Sequence, residues 1–239
     1  MSSLYVVMPA YNEEENIEAV VMQWYPVLAN GDEKSRLIVA DSGSVDRTHE
    51  ILLELKKTHP QLEIISDCDK QHGPKLIAMY NYAIKNGADY IFQTDSDGQT
   101  NPEEFAAFWE KRHEYDGLFG SRPVRGDGQA RAFVEKVVCL LLKIYFGVRV
   151  PDANAPFRLM KTEVVAKYIG LLPEEYFLPN IMMTMFFVYY KENHRFIDIS
   201  FEARQAGTNS INVKRIMRIG RQSLVDFAAI KRRMPKVSK

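Results

Sequence analysis

Only two cysteines, Cys68 and Cys139, occur among the 239 residues, and their spacing matches no disulfide framework or zinc motif. So few cysteines fit a reducing, cytoplasmic environment. The chain also lacks a long apolar run, since the stretches 137–148 and 181–190 are too short to span a bilayer and are typical of core or interfacial helices. The N-terminus has no basic region followed by an apolar one, so the sequence predicts no signal peptide.

The chain has no excess of positive or negative charge, but its basic and acidic residues are distributed unevenly along the sequence. Lysine and arginine together number 31, as do aspartate and glutamate. Residues 214–239 carry nine basic residues and one acidic residue, which leaves the rest of the chain negative. This basic tail is therefore expected to meet something anionic, and the negative remainder argues against nucleic acid as a partner.

Apolar residues recur in the basic tail with the spacing of a helix. Two interpretations fit this pattern. One is an interfacial helix on an anionic membrane surface, and the other is an amphipathic helix docked on the protein with a basic outer face. The apolar positions are Ile216, Ile219, Leu224, Phe227 and Ile230.

The first half of the chain alternates apolar, strand-like runs with helix-like segments. With 46% hydrophobic and 26% charged residues, the chain has the composition of an ordinary globular protein, and 239 residues are enough for one α/β domain. Strands separated by helices predict βαβ units and a mixed, mainly parallel sheet flanked by helices. The predicted strands are Leu4–Met8, Leu37–Ala40, Leu62–Ile65 and Tyr90–Phe92. The predicted helices run from Asn12 to Leu28, from Ser44 or Asp46 to Leu55, from Gly73 to Asn86, and onward from Asn101.

The second half is less regular. A strand is predicted at Gly117–Gly120 and a helix at Ala130–Phe146. A further strand is predicted at Phe196–Phe201, where apolar and polar residues alternate. Loops rich in turn formers are predicted at Gly126–Gly128 and Val150–Pro156.

Acidic side chains follow the fourth predicted strand directly. Asp95 and Asp97 flank a single residue, so their carboxylates can point the same way and would repel each other unless a cation lay between them. Carboxylate oxygens, with the amide oxygen of Gln99, are hard ligands that suit Mg²⁺ or Mn²⁺ bound to a diphosphate. The alternative is a solvated turn that caps the next helix.

Three further polar segments lie near the edge where parallel sheets bind ligands. Asp41-Ser42-Gly43-Ser44 follows the second strand and suits a base or ribose, although a strand-to-helix turn explains it equally well. Pro9-Ala10-Tyr11-Asn12-Glu13, after the first strand, has the same two interpretations. Gly73-Pro74-Lys75 places a cation at a helix N-terminus, which suits a phosphate, and an exposed lysine is the alternative.

Six segments occur in the order found in a known family. The sequence resembles the family 2 glycosyltransferases of GT-A (Rossmann-like) fold, and within them the polyprenyl-phosphate branch that includes dolichol-phosphate mannose synthases. The segments are Val6–Glu14, Val39–Thr48, Thr94–Gln99, Gly120–Arg122, Asp152 with Phe157-Arg158, and Arg204–Ser210.

The resemblance implies a division of roles among the candidate residues. Those implied to bind a nucleotide sugar are Pro9, Ala10, Tyr11, Glu13, Asp41, Ser42, Gly43, Lys75, Asp95 and Ser96. Those implied to bind Mg²⁺ or Mn²⁺ are Asp95, Asp97 and Gln99. Arg122, Arg131 and Arg204 would face phosphates of donor or acceptor. The family inverts the anomeric centre in one displacement, and a hydroxyl acceptor would need a base, for which Asp152 is the candidate, with loop capping as its alternative role.

Two positions depart from the polyprenyl-phosphate pattern. Where that branch has serine four residues after an arginine, this chain has Glu135 after Arg131. Because these positions are neighbours on a helix, Glu135 would pair with Arg131 and repel an acceptor phosphate. Pro156 stiffens the loop before Phe157, where the branch has small residues. A sugar hydroxyl on a lipid-linked or surface glycan therefore rivals polyprenyl phosphate as the acceptor.

The sequence as a whole predicts a single GT-A glycosyltransferase domain at the cytoplasmic, inner face of a membrane. Residues 1–115 would bind the nucleoside-diphosphate sugar, residues 116–210 the acceptor, and residues 211–239 would form the basic helix. A homo-oligomer is compatible with the sequence. Two other functions are retained. One is a nucleotidyltransferase that makes nucleotide sugars, against which the acidic first loop argues. The other is a degenerate nucleotide- or partner-binding module, against which the intact acidic set argues.

Overall fold

Strands and helices alternate through most of the computed structural model, which describes residues 2–124, 129–203, 222 and 225–235. The first-half elements are β1 (Leu4–Ala10), α1 (Ile17–Trp24), β2 (Arg36–Asp41), α2 (Thr48–Thr58), β3 (Leu62–Ile65), α3 (His72–Lys85), β4 (Tyr90–Gln93) and α4 (Phe105–Glu110). The second-half elements are β5 (Gly117–Ser121), α5 (Gln129–Phe146), β6 (Arg158–Lys161), α6 (Thr162–Ile169), α7 (Pro179–Tyr189) and β7 (His194–Asp198). Short 3-10 helices lie at Tyr25–Asn30 and Pro102–Glu104.

A seven-stranded sheet runs through the structure in the order β3-β2-β1-β4-β6-β5-β7. β1 pairs in parallel with β2 and β4, β2 with β3, and β5 with β7. Only β6 runs antiparallel to its neighbours, β4 and β5. The predicted mixed, mainly parallel sheet is therefore confirmed. The chain builds outward from β1 to β3 and returns to β4 on the other side of β1, so the strand order reverses between β1 and β4.

Helices cover both faces of the sheet, which is why β1 is buried along its whole length. Side chains on β1 alternate between two hydrophobic cores. Leu4, Val6 and Met8 pack with residues of α1, α2 and α4. Tyr5 and Val7 pack with residues of α3, α6 and α7. The carboxyl edge of the sheet is thus the place where polar loop residues gather.

The first helix begins later than predicted. Asn12 does not cap it, because Asn12 has a backbone φ of 53° and its side-chain oxygen accepts a hydrogen bond from the backbone of Val45 at 2.9 Å. A turn follows, and α1 starts at Ile17. The second helix also begins later than predicted, at Thr48, with Arg47 rather than Ser44 or Asp46 at the N-cap position. The carboxylate of Asp46 accepts from the backbone N–H of Thr48 at 3.0 Å.

The second half contains elements that the sequence analysis missed. β6 begins at Arg158 and α6 follows it directly, and β6 carries no alternating signal because Arg158 and its next two residues are all buried. The strand predicted at Phe196–Phe201 ends at Asp198. Ile199 and Phe201 stay buried beyond it, so the alternation marked burial rather than strand pairing. The predicted loop at Gly126–Gly128 lies outside the described residues.

The basic tail is docked on the protein where the structure describes it. Residues 225–233 are helical, and Phe227 and Ile230 lie in the hydrophobic core. Phe227 packs against Tyr145 and Phe146 of α5. Of the two interpretations left open, the docked helix therefore holds for Phe227 and Ile230, and the membrane-facing one does not. Positions Ile216, Ile219 and Leu224 lie outside the described residues.

No helix within the described ranges combines the length and the apolarity that a bilayer crossing requires. The apolar stretch predicted around 181–190 forms most of α7, whose residues 179–187 are all buried. α7 is therefore a core helix, as the sequence allowed.

Gly73 is a tight packing position in the first turn of α3. A Cβ at Gly73 would lie 2.3 Å from the carbonyl oxygen of Tyr176 and 2.6 Å from that of Phe177. We expect Gly73→Ala to lower the free energy of unfolding by about 1–3 kcal/mol, because both clashing atoms belong to the backbone. Gly170→Ala is the control, since nothing lies within 4 Å of its Cβ position. Urea unfolding measures both variants, and equal, small effects would contradict this packing.

Candidate active site

Three loops meet at the carboxyl ends of β1, β2 and β4, as the sequence predicted. The hydroxyl of Ser96, after β4, donates to the carbonyl of Pro9 in β1 at 2.8 Å. The backbone N–H of Asn12, after β1, donates to the hydroxyl of Ser44, after β2, at 3.0 Å. The candidate nucleotide-binding residues therefore share one edge of the sheet, beside the point where strand order reverses.

Hydrogen bonds of Gln99 fix the acidic turn after β4. Gly98 has a φ of 71°, which side-chain-bearing residues rarely adopt, and the backbone N–H of Gln99 donates to Asp97 Oδ1 at 3.2 Å. The buried side chain of Gln99 donates through Nε2 to the carbonyl of Glu202 at 2.5 Å. The amide oxygen of Gln99, rather than its nitrogen, is therefore the atom that can face a cation.

His72 lies beside this turn, and the sequence analysis missed it. Its Nε2 atom is 3.2 Å from Asp95 Oδ1, and its side chain is half exposed. His72 begins α3, far from Asp95 in sequence, so no spacing pattern links the two. Within the described residues, no three histidine, cysteine or acidic side chains form a metal-binding group by themselves. The assignment of Asp95, Asp97 and Gln99 as metal ligands stays a prediction.

Lys75 is buried under the first loop. Its Nζ atom donates to the carbonyl of Ala10 at 2.5 Å and lies 5.3 Å from the centre of the Tyr11 ring. Burial lowers the pKa of Lys75, while the nearby carboxylate of Asp41 opposes this shift. The alternative of an exposed lysine is therefore wrong. Contact with a phosphate stays a prediction.

Asp41, at the end of β2, is buried, and both of its carboxylate oxygens have partners. Oδ1 accepts from the hydroxyl of Ser44 at 2.5 Å, and Oδ2 lies 2.9 Å from Nδ1 of His49. His49, on α2, was not anticipated, because nothing in the sequence relates it to Asp41. A base or ribose that hydrogen-bonds to Asp41 would share or displace one of these contacts.

Ser42, Gly43 and Glu13 shape the same edge. The hydroxyl of Ser42 donates to the carbonyl of Cys68, which joins the loops after β2 and β3. Gly43 has a φ of 75°, the left-handed conformation that favours glycine. The buried carboxylate of Glu13 accepts from the side-chain amide of Asn16 at 2.8 Å. The contacts of these residues with a nucleotide remain predictions.

Arg122 and Asp152 form a buried ion pair between β5 and the loop before β6. The guanidinium donates to the carboxylate at 2.7 Å and 3.0 Å, and each side chain is 4% exposed. Asp152 also accepts from the backbone N–H of Asn154 at 3.0 Å, which gives it the loop-capping contact that was its alternative role. If Asp152 took up a proton as a general base, its carboxylate would lose the negative charge that pairs with Arg122. Its role as a general base stays a prediction.

Glu135 supports the same loop from α5. Its carboxylate accepts from the backbone N–H of Ala153 at 2.7 Å and from the thiol of Cys139 at 3.6 Å. Burial, with the charge of Glu135 adding to the effect, raises the pKa of Cys139 to about 12. Arg131 lies one turn earlier on α5 and is partly buried. Pairing of Glu135 with Arg131 stays a prediction, and Arg204 lies outside the described residues.

A Rossmann-like sheet with polar loops at its reversal point, extended by β6, β5 and β7, defines the GT-A fold. The family described as glycosyl transferase family 2 matches residues 5–169, which is more than half of the chain. The chain therefore belongs to glycosyl transferase family 2.

Curated relatives place the chain among glycosyltransferases at low identity. An undecaprenyl-phosphate 4-deoxy-4-formamido-L-arabinose transferase of Pectobacterium carotovorum is 23% identical over 92% of this chain and 65% of its own length. A polyprenol monophosphomannose synthase of Mycolicibacterium smegmatis is 25% identical over 68% of this chain and 63% of its own length. An uncharacterized glycosyltransferase of Synechocystis is 28% identical over 72% of this chain and 54% of its own length. The chain thus spans between about half and two thirds of these relatives.

Solved structures share the fold. Glucosyl-3-phosphoglycerate synthase of Mycobacterium tuberculosis, in complex with Mn²⁺, UDP and phosphoglyceric acid, aligns with a TM-score of 0.70 at 17% identity, over 98% of this chain and 80% of that one. Its complex with Mn²⁺, UDP-glucose and glycerol 3-phosphate aligns with a TM-score of 0.68 at 18% identity, over 98% and 82%. At this identity the likeness concerns the fold.

The Arg122–Asp152 pair gives a prediction about stability. Asp152→Ala leaves a buried guanidinium without its carboxylate, so we expect it to lower the free energy of unfolding by about 3–5 kcal/mol. The double variant Arg122→Met/Asp152→Leu removes both charges and should recover most of that loss. Urea unfolding of Arg122→Met, Asp152→Leu and the double variant measures the coupling between the two side chains. Additive effects of the single changes would contradict a stabilising pair.

Proposed function

We propose that this chain is the catalytic domain of an inverting, metal-dependent glycosyltransferase that moves a sugar from a nucleoside diphosphate to a membrane-associated acceptor. The observation that carries the proposal is the meeting of the acidic turn 95–99 with Asp41, Tyr11 and Lys75 at the reversal point of the sheet. Family membership supports the reaction class. The relatives named for undecaprenyl phosphate and polyprenol support a membrane-associated acceptor.

The donor would lie across the loops after β1, β2 and β4. Asp41 is a buried hydrogen-bond acceptor suited to a base or ribose, and Tyr11 offers an exposed ring next to the ammonium of Lys75. Lys75 adds positive potential under the same loop, which favours a diphosphate. Because Lys75 is fixed by its hydrogen bond to Ala10, and Asp41 by its contacts with Ser44 and His49, these two side chains would need little ordering when a donor binds.

The oxygen atoms of the acidic turn suit a hard divalent cation as ligands. Asp95, Asp97 and the amide oxygen of Gln99 are oxygen ligands of the kind that Mg²⁺ and Mn²⁺ prefer. A cation held there would offset the mutual repulsion of the carboxylates and the negative charge that develops on the leaving diphosphate.

The transfer is a single displacement at the anomeric carbon. The acceptor oxygen forms a bond to that carbon while the bond from the carbon to the diphosphate oxygen breaks, and the electron pair leaves with the nucleoside diphosphate. A phosphate acceptor is already an anion, whereas a hydroxyl must give its proton to a base. Asp152 is engaged by Arg122, and Glu135 by the backbone of Ala153. Polyprenyl phosphate is therefore the better supported acceptor, and a glycan hydroxyl is the alternative.

Donor binding is the first test of this function. In a panel of UDP-, GDP- and dTDP-sugars with Mn²⁺, one donor at a hundred times its Kd should stabilise the protein by about 2.7 kcal/mol, measured as a rise in Tm. Asp97→Ala should abolish the metal-dependent part of the rise, while Asp198→Ala, a change at an exposed acid on β7, should not. No rise with any donor would favour a degenerate module, and an unchanged rise in Asp97→Ala would remove Asp97 from the metal site.

Transfer assays with Glu135 variants separate the two acceptors. Glu135→Gln keeps an oxygen that can accept from the Ala153 N–H and removes the charge, so we expect less than about a twofold change in transfer to polyprenyl phosphate. Glu135→Ala leaves that N–H unpaired and should reduce transfer about tenfold or more. Radiolabelled transfer to polyprenyl phosphate and to an oligosaccharide is compared. A large gain in Glu135→Gln would show that the charge repels phosphate, and transfer only to the oligosaccharide would assign a hydroxyl acceptor.

A further inference from the structure

Four apolar side chains of α5 are exposed in a row. Phe133, Val137, Leu140 and Ile144 have exposed fractions of 67%, 38%, 53% and 67%. Spacings of four and three residues place them on one face of the helix, which we call the α5 stripe. Water-soluble proteins rarely expose a contiguous apolar row of this kind unless something binds it.

Charge on the exposed face of α5 has one sign. From residue 131 to residue 146, the exposed positions are the four of the α5 stripe together with Lys136 and Lys143. The acid of this helix, Glu135, is instead partly buried and accepts from the backbone of Ala153. An apolar row bordered by lysines is typical of a helix that lies in the interface of an anionic bilayer.

Further basic side chains lie at the C-terminal end of α5. The ammonium of Lys231 donates to the carbonyl of Tyr145 and lies 5.8 Å from the centre of the Phe146 ring. Arg232 and Arg233, next to it in the same helical segment, are exposed. The docked tail therefore adds positive charge near one end of the α5 stripe, although its Phe227 and Ile230 face the core.

We propose that the α5 stripe is the surface by which this domain contacts an anionic phospholipid bilayer. A second copy of the chain is the weaker occupant, because Lys136 and Lys143 would flank a helix pair whose exposed faces offer no acid to pair with them. This inference rests on the proposed function and deepens it. α5 also carries Arg131 and contacts the Asp152 loop through Glu135, so the helix on the lipid borders the acceptor residues.

Vesicle flotation of the full chain tests this surface. The protein should float with vesicles of equal parts phosphatidylcholine and phosphatidylglycerol, less with phosphatidylcholine alone, and less as salt rises. Phe133→Ser/Leu140→Ser and Lys136→Glu/Lys143→Glu should each reduce the bound fraction about tenfold or more. The matched control is Met22→Ser/Leu53→Ser, which changes residues on α1 and α2 that are 51% and 48% exposed and should leave flotation unchanged.

Three results would overturn the proposal. One is equal flotation of the α5 stripe variants and the control. Another is a monomeric wild-type protein that does not float with anionic vesicles. The last is a dimer in sedimentation that Phe133→Ser/Leu140→Ser dissociates, without flotation of the wild type, which would assign the stripe to a second copy. Donor-induced stabilisation is measured in parallel on each variant. If a donor still stabilises the protein but the protein does not float, the membrane surface is rejected and the proposed transferase function is retained. If the protein floats but no donor stabilises it, only the proposed transferase function is rejected.

Discussion

β1 lies between β2 and β4, and the whole candidate site depends on this placement. Because neighbouring parallel strands end at one edge, the loops after these three strands must meet there. Hydrogen bonds to carbonyls of β1 then fix the other elements, from Ser96 to Pro9 and from Lys75 to Ala10. The buried strand β1 thus sets both the position of the acidic turn and the position of the Lys75 ammonium below the first loop.

The proposed acceptor side depends on a different interaction, the buried pair of Arg122 and Asp152. This pair ties β5 to the loop before β6, and Glu135 ties the same loop to α5 through Ala153. β6 itself enters the sheet antiparallel, next to β4. The loop before β6 is therefore connected both to the strand that carries the acidic turn and to the helix whose outer face carries the α5 stripe. If the proposed acceptor binds at this loop, these connections would couple lipid contact with the site.

Much of the first half of the chain could be predicted from sequence, because hydrophobic periodicity determines its strands and the position of a loop after a strand determines where its polar residues lie. Four strands and the meeting of their loops follow from apolar runs separated by helices, and Asp95, Asp97 and Asp41 stand out as acids directly after strands. His49 and His72 could not be found this way, because only the folded chain brings each of them next to an aspartate, and no sequence spacing indicates the contact. β6 was not predicted because it begins with a buried arginine, Arg158. The docking of Phe227 depends on contacts with Tyr145 and Phe146 that no sequence spacing indicates.

Calorimetric titration of UDP and GDP into the protein, with Mn²⁺ or with EDTA, tests most directly whether the acidic turn binds a diphosphate through a divalent cation. If Asp95 and Asp97 share the cation with the diphosphate, one of the two nucleotides should bind about tenfold or more tightly with Mn²⁺ than with EDTA, since coupling between two ligands is commonly about 1–3 kcal/mol. Binding of equal affinity in Mn²⁺ and EDTA would contradict a metal role for this turn.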